Sequence, residues 1–173
     1  MSADSVYQIV TLHADKHCHG ATTNLQVASA GLYAAILGSN ATVACVPQAC
    51  AATDAAGVYY KIACAAQVPL LVHAGSAVFS FVDYLTPQCD PSSLASVYSV
   101  VADGKCVTSP RLPGVWNQVA RGSEIASVVD GQVVTLLTGA YNCSADLFSV
   151  NYTIASFGAC QESLIYHLDT FVF

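Results

Sequence analysis

Eight cysteines, three of which open the same phrase, constrain this chain of 173 residues more than any other feature. Cys50, Cys89 and Cys143 are each followed nine residues later by a tyrosine inside a β-like run, at Tyr59, Tyr98 and Tyr152. Each run soon meets another cysteine, at Cys64, Cys106 and Cys160. A half copy lies at the N-terminus, where Val6-Tyr7-Gln8-Ile9-Val10, Ala14-Asp15 and Cys18 echo Val97 to Val101, Ala102-Asp103 and Cys106. Self-similarity of this kind marks an internal repeat. The units fall at about 7–58, 59–97 and 98–151, with a half unit at 152–173, inside a single β-rich domain spanning 1–173.

An even count of cysteines with no Cys-x-x-Cys pair reads as a disulfide framework built in an oxidising compartment, so all eight are expected to be paired. Symmetry between repeat units leaves two pairings open. One closes each unit locally, as Cys50–Cys64, Cys89–Cys106 and Cys143–Cys160, with Cys18–Cys45 left over. The other joins each unit to the next, as Cys18–Cys45, Cys64–Cys89 and Cys106–Cys143, with Cys50–Cys160 left over. Sequons at Asn40, Asn142 and Asn151 agree with a secreted chain able to carry N-linked glycans. No basic start followed by an apolar stretch is present, so a secretory leader is expected to have been removed and Met1 to precede a mature start near Ser2.

Charged residues make up 9% of the chain and hydrophobic ones 54%, against a usual charged share of about 25%. Such a surface is expected either to be rich in Ser, Thr and Gln or to be partly covered by other copies. Five basic residues, eleven acidic ones and no basic cluster exclude nucleic acid as a partner. No apolar run reaches the roughly 18 residues of a transmembrane helix.

Short runs rich in Val, Ile, Tyr, Phe and Thr between turn signals predict strands near Tyr7–Leu12, Ala41–Val46, Val58–Ala63, Pro69–His73, Ala77–Tyr84, Val97–Val101, Val115–Val119, Gln132–Leu137, Val150–Ala155 and Leu164–Phe173. Asp130-Gly131 predicts a two-residue hairpin turn. Leu25, Ala28, Leu32 and Ile36 share a helical face behind an Asn24 cap, which fits one short helix near 24–37, while the small residues of the segment equally suit a strand pair. The pattern as a whole predicts an all-β, disulfide-stapled sandwich or barrel, with a three-fold β-trefoil as the rival. Tyr59, Tyr98 and Tyr152, at one position of the repeat, are expected to fill equivalent buried sites.

The densest polar cluster is His13, Asp15, His17 and His19. On an extended strand all four project from one face and supply imidazole and carboxylate ligands for a surface zinc or copper ion. The bland alternative is an exposed histidine loop beside a disulfide. Trp116, the only tryptophan, is either a core residue or a contact for a sugar ring or protein partner. Catalysis finds no local motif: Ser76 near His73 lacks a nucleophile elbow, and a glycosidase pair would have to come from two glutamates, Glu124 and Glu162, and nine scattered aspartates with no motif to choose among them. No catalytic residue and no resident cofactor is expected.

The Val-Tyr-x-Val/Ile rhythm with Ala-Asp-x-x-Cys in two copies resembles the cysteine-rich repeats of expanded secreted families in protists and other microbial eukaryotes. That resemblance carries no site residue. The leading functional expectation is an extracellular structural or interaction protein of a cell surface, wall, matrix or fibre. It would assemble with itself or bind an extracellular glycan or protein. The assembling edge is expected in the C-terminal run, through Leu164, Tyr166, Leu168, Phe171 and Phe173, unless that run closes the sheet beside the Tyr7 strand. A carbohydrate-binding module is the alternative, and a secreted hydrolase the third reading.

Overall fold

The computed structural model describes residues 7–38, 44–69, 75–110, 112–116, 122–130, 133–139, 143, 148–153 and 157–169. In chain order the elements are β1 (Tyr7–His13), β2 (Thr22–Ser29), α1 (Ala30–Leu37), β3 (Gln48–Ala52), β4 (Tyr59–Ala65), β5 (Val78–Tyr84), β6 (Leu94–Val101), β7 (Asp103–Ser109), β8 (Gly122–Val129), β9 (Val133–Gly139), β10 (Phe148–Thr153) and β11 (Leu164–Asp169). They form a seven-stranded sheet, β11-β5-β6-β2-β1-β4-β3, and a four-stranded sheet, β10-β9-β8-β7. Every pairing is antiparallel. The fold is therefore an all-β, disulfide-stapled sandwich, and the two unequal sheets replace the three equal units that a trefoil requires.

Strand register shows how the core is shared. In the large sheet Ile9, Val27, Val97 and Val82 stand in one row on one face, and Val10, Gln26, Tyr98 and Phe81 in the next row on the other. The first face buries Tyr7, Ile9, Leu25, Val27, Val78, Val97 and Val101 together. On the second face, Phe79, Tyr98 and Val100 meet Val107, Ala126 and Val134 of the small sheet. Beside them Val10, Leu12, Tyr60 and Ile62 are covered by Leu112 and Val115. The central strands β1, β2 and β6 are thus buried on both sides. This explains the low charge content without recourse to an interface, since a sheet covered on both faces needs apolar residues at nearly every position.

The same two-sided burial misleads the helix expectation for 24–37. Strand β2 occupies 22–29, and only Ala30–Leu37 is helical. A strand buried on both faces loses its alternation, so Leu25 and Ala28 fit a helical period by chance. Asn24 is buried within β2 instead of capping a helix, and Ser29 Oγ accepts from the Leu32 N–H at the true start. Strands β3 and β7 lie outside the expected strands, and β8 corresponds only to the strand end that the Asp130-Gly131 hairpin implies at Val128-Val129. The Asp103-Gly104 signal that reads as a turn is a bulge in β7, where the register shifts between Asp103 and Cys106 and Gly104 takes φ +75°. The Asp130 hairpin does join β8 to β9, but Val129 pairs with Val133, so the connection has three residues. Residues 44–46 and 115–116 are not strands, and the remainder of the strands expected at Ala41–Val46, Pro69–His73 and Val115–Val119 lies largely outside the described residues.

All eight cysteines are paired, as Cys18–Cys50, Cys45–Cys64, Cys89–Cys160 and Cys106–Cys143. Only Cys106–Cys143 matches an expected bond. The symmetry argument fails because the repeat is not a packing repeat. Tyr7 and Tyr98 hold corresponding places in sequence, yet register puts them on opposite faces of the large sheet. A different regularity survives: Cys18 and Cys106, which follow their tyrosine strands, each bond to the cysteine that opens the next Cys-to-Tyr phrase, Cys50 and Cys143. In three of the bridges one partner, Cys18, Cys89 or Cys143, has positive φ near +50°, a conformation uncommon for side chains other than glycine.

The three repeat tyrosines all lie on strands, but only Tyr98 is fully buried. Tyr59 faces the other way from its neighbour Tyr60, which takes the core position against Leu12 and Ile62. Tyr152 is half-buried, its ring 5.0 Å from that of Phe79. Tyr98→Ala is expected to cost roughly 3–5 kcal/mol, the range for large aromatic truncations in a core. Tyr59→Ala should cost well under half of that, and equal losses in urea unfolding would contradict the packing described.

Candidate functional site

Strand β1 ends at His13, and residues 14–20 form a turn, not an extended ladder. Asp15 Oδ1 accepts from the N–H groups of His17 at 3.0 Å and His19 at 3.2 Å, and its Oδ2 accepts from that of Gly20 at 2.6 Å. The Gly20 N–H, chiefly, holds the Asp15 carboxyl below its ordinary range; desolvation opposes it, and the His19 and His17 amides and His13 add to the lowering. A Cβ on residue 20 would lie 2.7 Å from Asp15 Oδ2, so any other residue there would push the carboxylate off its amides. His13 is buried, with Nδ1 3.2 Å from the Gly20 carbonyl and Nε2 2.9 Å from the Thr11 hydroxyl. A carbonyl accepts only, so Nδ1 donates. His17 and His19 are exposed, with ring centroids 6.0 Å apart. The four expected ligands therefore do not share a face, because the backbone turns and the carboxylate is occupied by the loop's own amides. Among the described residues no group of three or more His, Cys, Asp or Glu side chains converges on a metal position.

The sharpest electrostatic feature lies elsewhere, between the sheets. Along β8, Glu124 is in phase with Ala126 and Val128 and points inward from the small sheet, opposite Val107 of β7. Asn24 Nδ2 of β2 contacts Glu124 Oε1 at 3.2 Å and the Tyr98 hydroxyl of β6 at 2.6 Å. Burial pushes the Glu124 carboxyl up to about 8, opposed by the Asn24 hydrogen bond. Asn24 Oδ1 and both polar atoms of the Gln26 side chain are buried without a hydrogen-bond partner. Sequence reasoning considered Glu124 only as half of a glycosidase pair. The structure separates it from Glu162, which lies exposed in the turn before β11. The alternation Glu124, Ala126, Val128 was the available signal for an inward carboxyl.

Cys143 is anchored next to this site, its N–H donating to Ser123 Oγ at 2.7 Å. A cleft of about 130 Å³ lies nearby between the sheets, lined by His13, Thr23, Gly57, Val58, Val107 and Thr108 among others. Glu124 and Asn24 are not among its lining residues, although Val107 is the register partner of Glu124.

Trp116 is neither a strand residue nor a core anchor. Its N–H donates to Gln8 Oε1 at 2.8 Å, and Gln8 Nε2 donates to the Gly114 carbonyl at 2.9 Å. A buried amide on β1 thus grips the 114–116 loop from below. The half-buried indole lies parallel to the Tyr33 ring of α1, with centroids 5.7 Å apart and planes 10° from parallel.

The C-terminal run forms the outermost strand of the large sheet, paired with β5 and not with the Tyr7 strand. Leu164, Tyr166 and Leu168 lie on that strand, while Phe171 and Phe173 lie outside the described residues. Of the sequons, Asn151 is exposed on β10, its Oδ1 accepting from Thr135 Oγ1 at 2.9 Å. Asn40 and Asn142 lie outside the described residues, as does His73.

Four disulfides point to an extracellular or secreted protein. Among the described residues no helix is long and apolar enough to cross a membrane. No protein-family model, curated protein or solved structure matches the chain.

Proposed function

We propose that this chain is an extracellular structural or interaction subunit that joins a second copy through the free edge of its seven-stranded sheet. The observation that supports this reading is the difference between its strand edges. The β3 edge has a register break between Gln48 and Ala51. The β7 edge is bulged and carries the Lys105–Asp103 ion pair at 2.7 Å. Bulges and charges are the usual means of blunting an edge. By contrast β11 pairs with β5 through six consecutive residues without a shift, has no other strand beside it among the described residues, and has one acidic residue and no Lys or Arg in its sequence. The β10 edge is also regular, and a glycan on Asn151 would obstruct it, because an incoming strand sets its side chains about 5 Å from those it pairs with.

Sedimentation velocity across a concentration series tests the reading. The wild type is expected to form oligomers or polymers, whereas Ile165→Lys, or the milder His167→Lys, should remain a folded monomer by near-ultraviolet circular dichroism. A wild type that stays monomeric at high concentration, or variants that assemble unchanged, would remove β11 from the reading.

One observation favours a second reading, a carbohydrate-binding module. The Gln8-braced loop holds an indole parallel to Tyr33, and a rigid aromatic surface of that kind suits stacking on a sugar ring. Specific binding on a glycan array, lost in Trp116→Ala, would establish it, and an empty array would set it aside.

A further inference from the structure

We infer that Asn24, Gln26, Tyr98 and Glu124 form an internal hydration site between the two sheets, in which ordered water pairs with the Gln26 amide and the free atom of Asn24, and Glu124 is present as the neutral acid.

Gln26 is 1% exposed and Asn24 fully buried, yet both Gln26 polar atoms and Asn24 Oδ1 lack partners. Buried amide groups left unpaired are rare in folded proteins because each forfeits its hydration without return. Rotating the amides does not repair the deficit. In the orientation described, Asn24 Nδ2 serves Tyr98 and Glu124 and its oxygen is orphaned. In the reversed orientation the oxygen is served and the nitrogen is orphaned. Gln26 is unpaired in both. A group that donates and accepts from one position satisfies all three atoms, and water is the smallest that does so. Asn24 and Gln26 are two residues apart on β2 and therefore project from the same face.

The contacts favour the reversed orientation. A separation of 2.6 Å between the Asn24 amide and the Tyr98 hydroxyl is short for a neutral N–H···O bond, a length matched here by the charge-assisted bond from the Gly20 N–H to the Asp15 carboxylate, but it is ordinary for O–H···O. With Asn24 Oδ1 in that place, Tyr98 O–H donates to it. The contact to Glu124 Oε1 at 3.2 Å then joins two oxygens, and it is favourable only if Glu124 carries a proton and donates. No basic side chain pairs with Glu124 among the described residues, so its negative charge would be uncompensated there. Its raised pKa points the same way.

Nuclear magnetic resonance on the wild type decides the first half. Persistent water contacts to the side-chain NH₂ protons of Gln26 and Asn24 are expected, and Gln26→Leu should abolish the first set while lowering the melting temperature. Absence of those contacts in the wild type overturns hydration, as does a melting temperature raised by Gln26→Leu, which would mean that the amide had been a dry, unpaired group. If the leucine variant misfolds, Gln26→Met replaces it with a closer shape. Infrared spectroscopy decides the second half. A protonated-carboxyl carbonyl band should persist at pH 7 and vanish in Glu124→Gln; a wild type without the band would show that the acid is ionised.

Discussion

Glu124→Gln is expected to flatten the dependence of stability on pH and to stabilise the protein at alkaline pH. The Glu124 carboxyl titrates near 4.5 when unfolded and near 8 when folded. Between those values the folded chain keeps a proton that the unfolded chain releases, so raising the pH favours unfolding. The contribution is complete below about 4.5 and is lost as pH rises to about 8, at about 1.4 kcal/mol per pH unit over the middle of that range. The groups facing Glu124 are Asn24 and the Tyr98 hydroxyl from the large sheet and Val107 across β7, with Thr138 opposite in the β9 register. None of these supplies a positive charge to oppose the effect. Glutamine has nearly the same shape and no charge to acquire. Urea unfolding with the disulfides intact should show a wild type several kcal/mol less stable at pH 8.5 than at pH 4.5, beyond any slope shared with the variant, since the full interval of about 3.5 pKa units sets that order of magnitude. Parallel curves for the two proteins would mean that Glu124 is solvated or has a cationic partner.

Removing Cys89–Cys160 should destabilise the protein more than removing Cys45–Cys64. The first bond closes 71 residues and the second 19, and the chain-entropy relation gives about 4 and about 3 kcal/mol respectively. The longer bridge has a further role, because Cys160 lies just ahead of β11 and Cys89 just ahead of β6. It thereby ties the outermost strand of the large sheet to the strand run that precedes the small one. Paired alanine substitutions compared by denaturant midpoint should show the larger loss for Cys89 and Cys160, with β11 loosened in hydrogen exchange. Equal losses, with β11 protected as before, would show that its pairing with β5 is self-sufficient.

Several elements were legible because their signals are local. The strands at Tyr7, Tyr59, Val78, Val97, Val133, Val150 and Leu164 announce themselves by β-branched and aromatic residues between turns. The even cysteine count foretold complete pairing for the same reason: it depends on composition and compartment, not on arrangement. Arrangement was another matter. Which cysteine meets which depends on strand order, and the order β11-β5-β6-β2-β1-β4-β3 leaves little trace in a chain whose repeats fall on opposite faces. The His13 to His19 cluster looked like a ligand set only while the backbone was taken as straight; Asp15, by capturing three amides, bends it.

What the sequence determined by itself is the class of fold and the completeness of disulfide pairing, which follow from residue type and count and point to an oxidising environment. Only the tertiary structure decided the disulfide connectivity, the two-sided burial of β1, β2 and β6, the edge position of β11 and the sealing of Glu124 beside Asn24 and Tyr98. The physical reason is range. Propensity and turn chemistry act over a few residues, whereas Asn24, Tyr98 and Glu124 are brought together across as many as 100 positions of chain. A carboxyl's ionisation depends on what surrounds it once the sheets have closed.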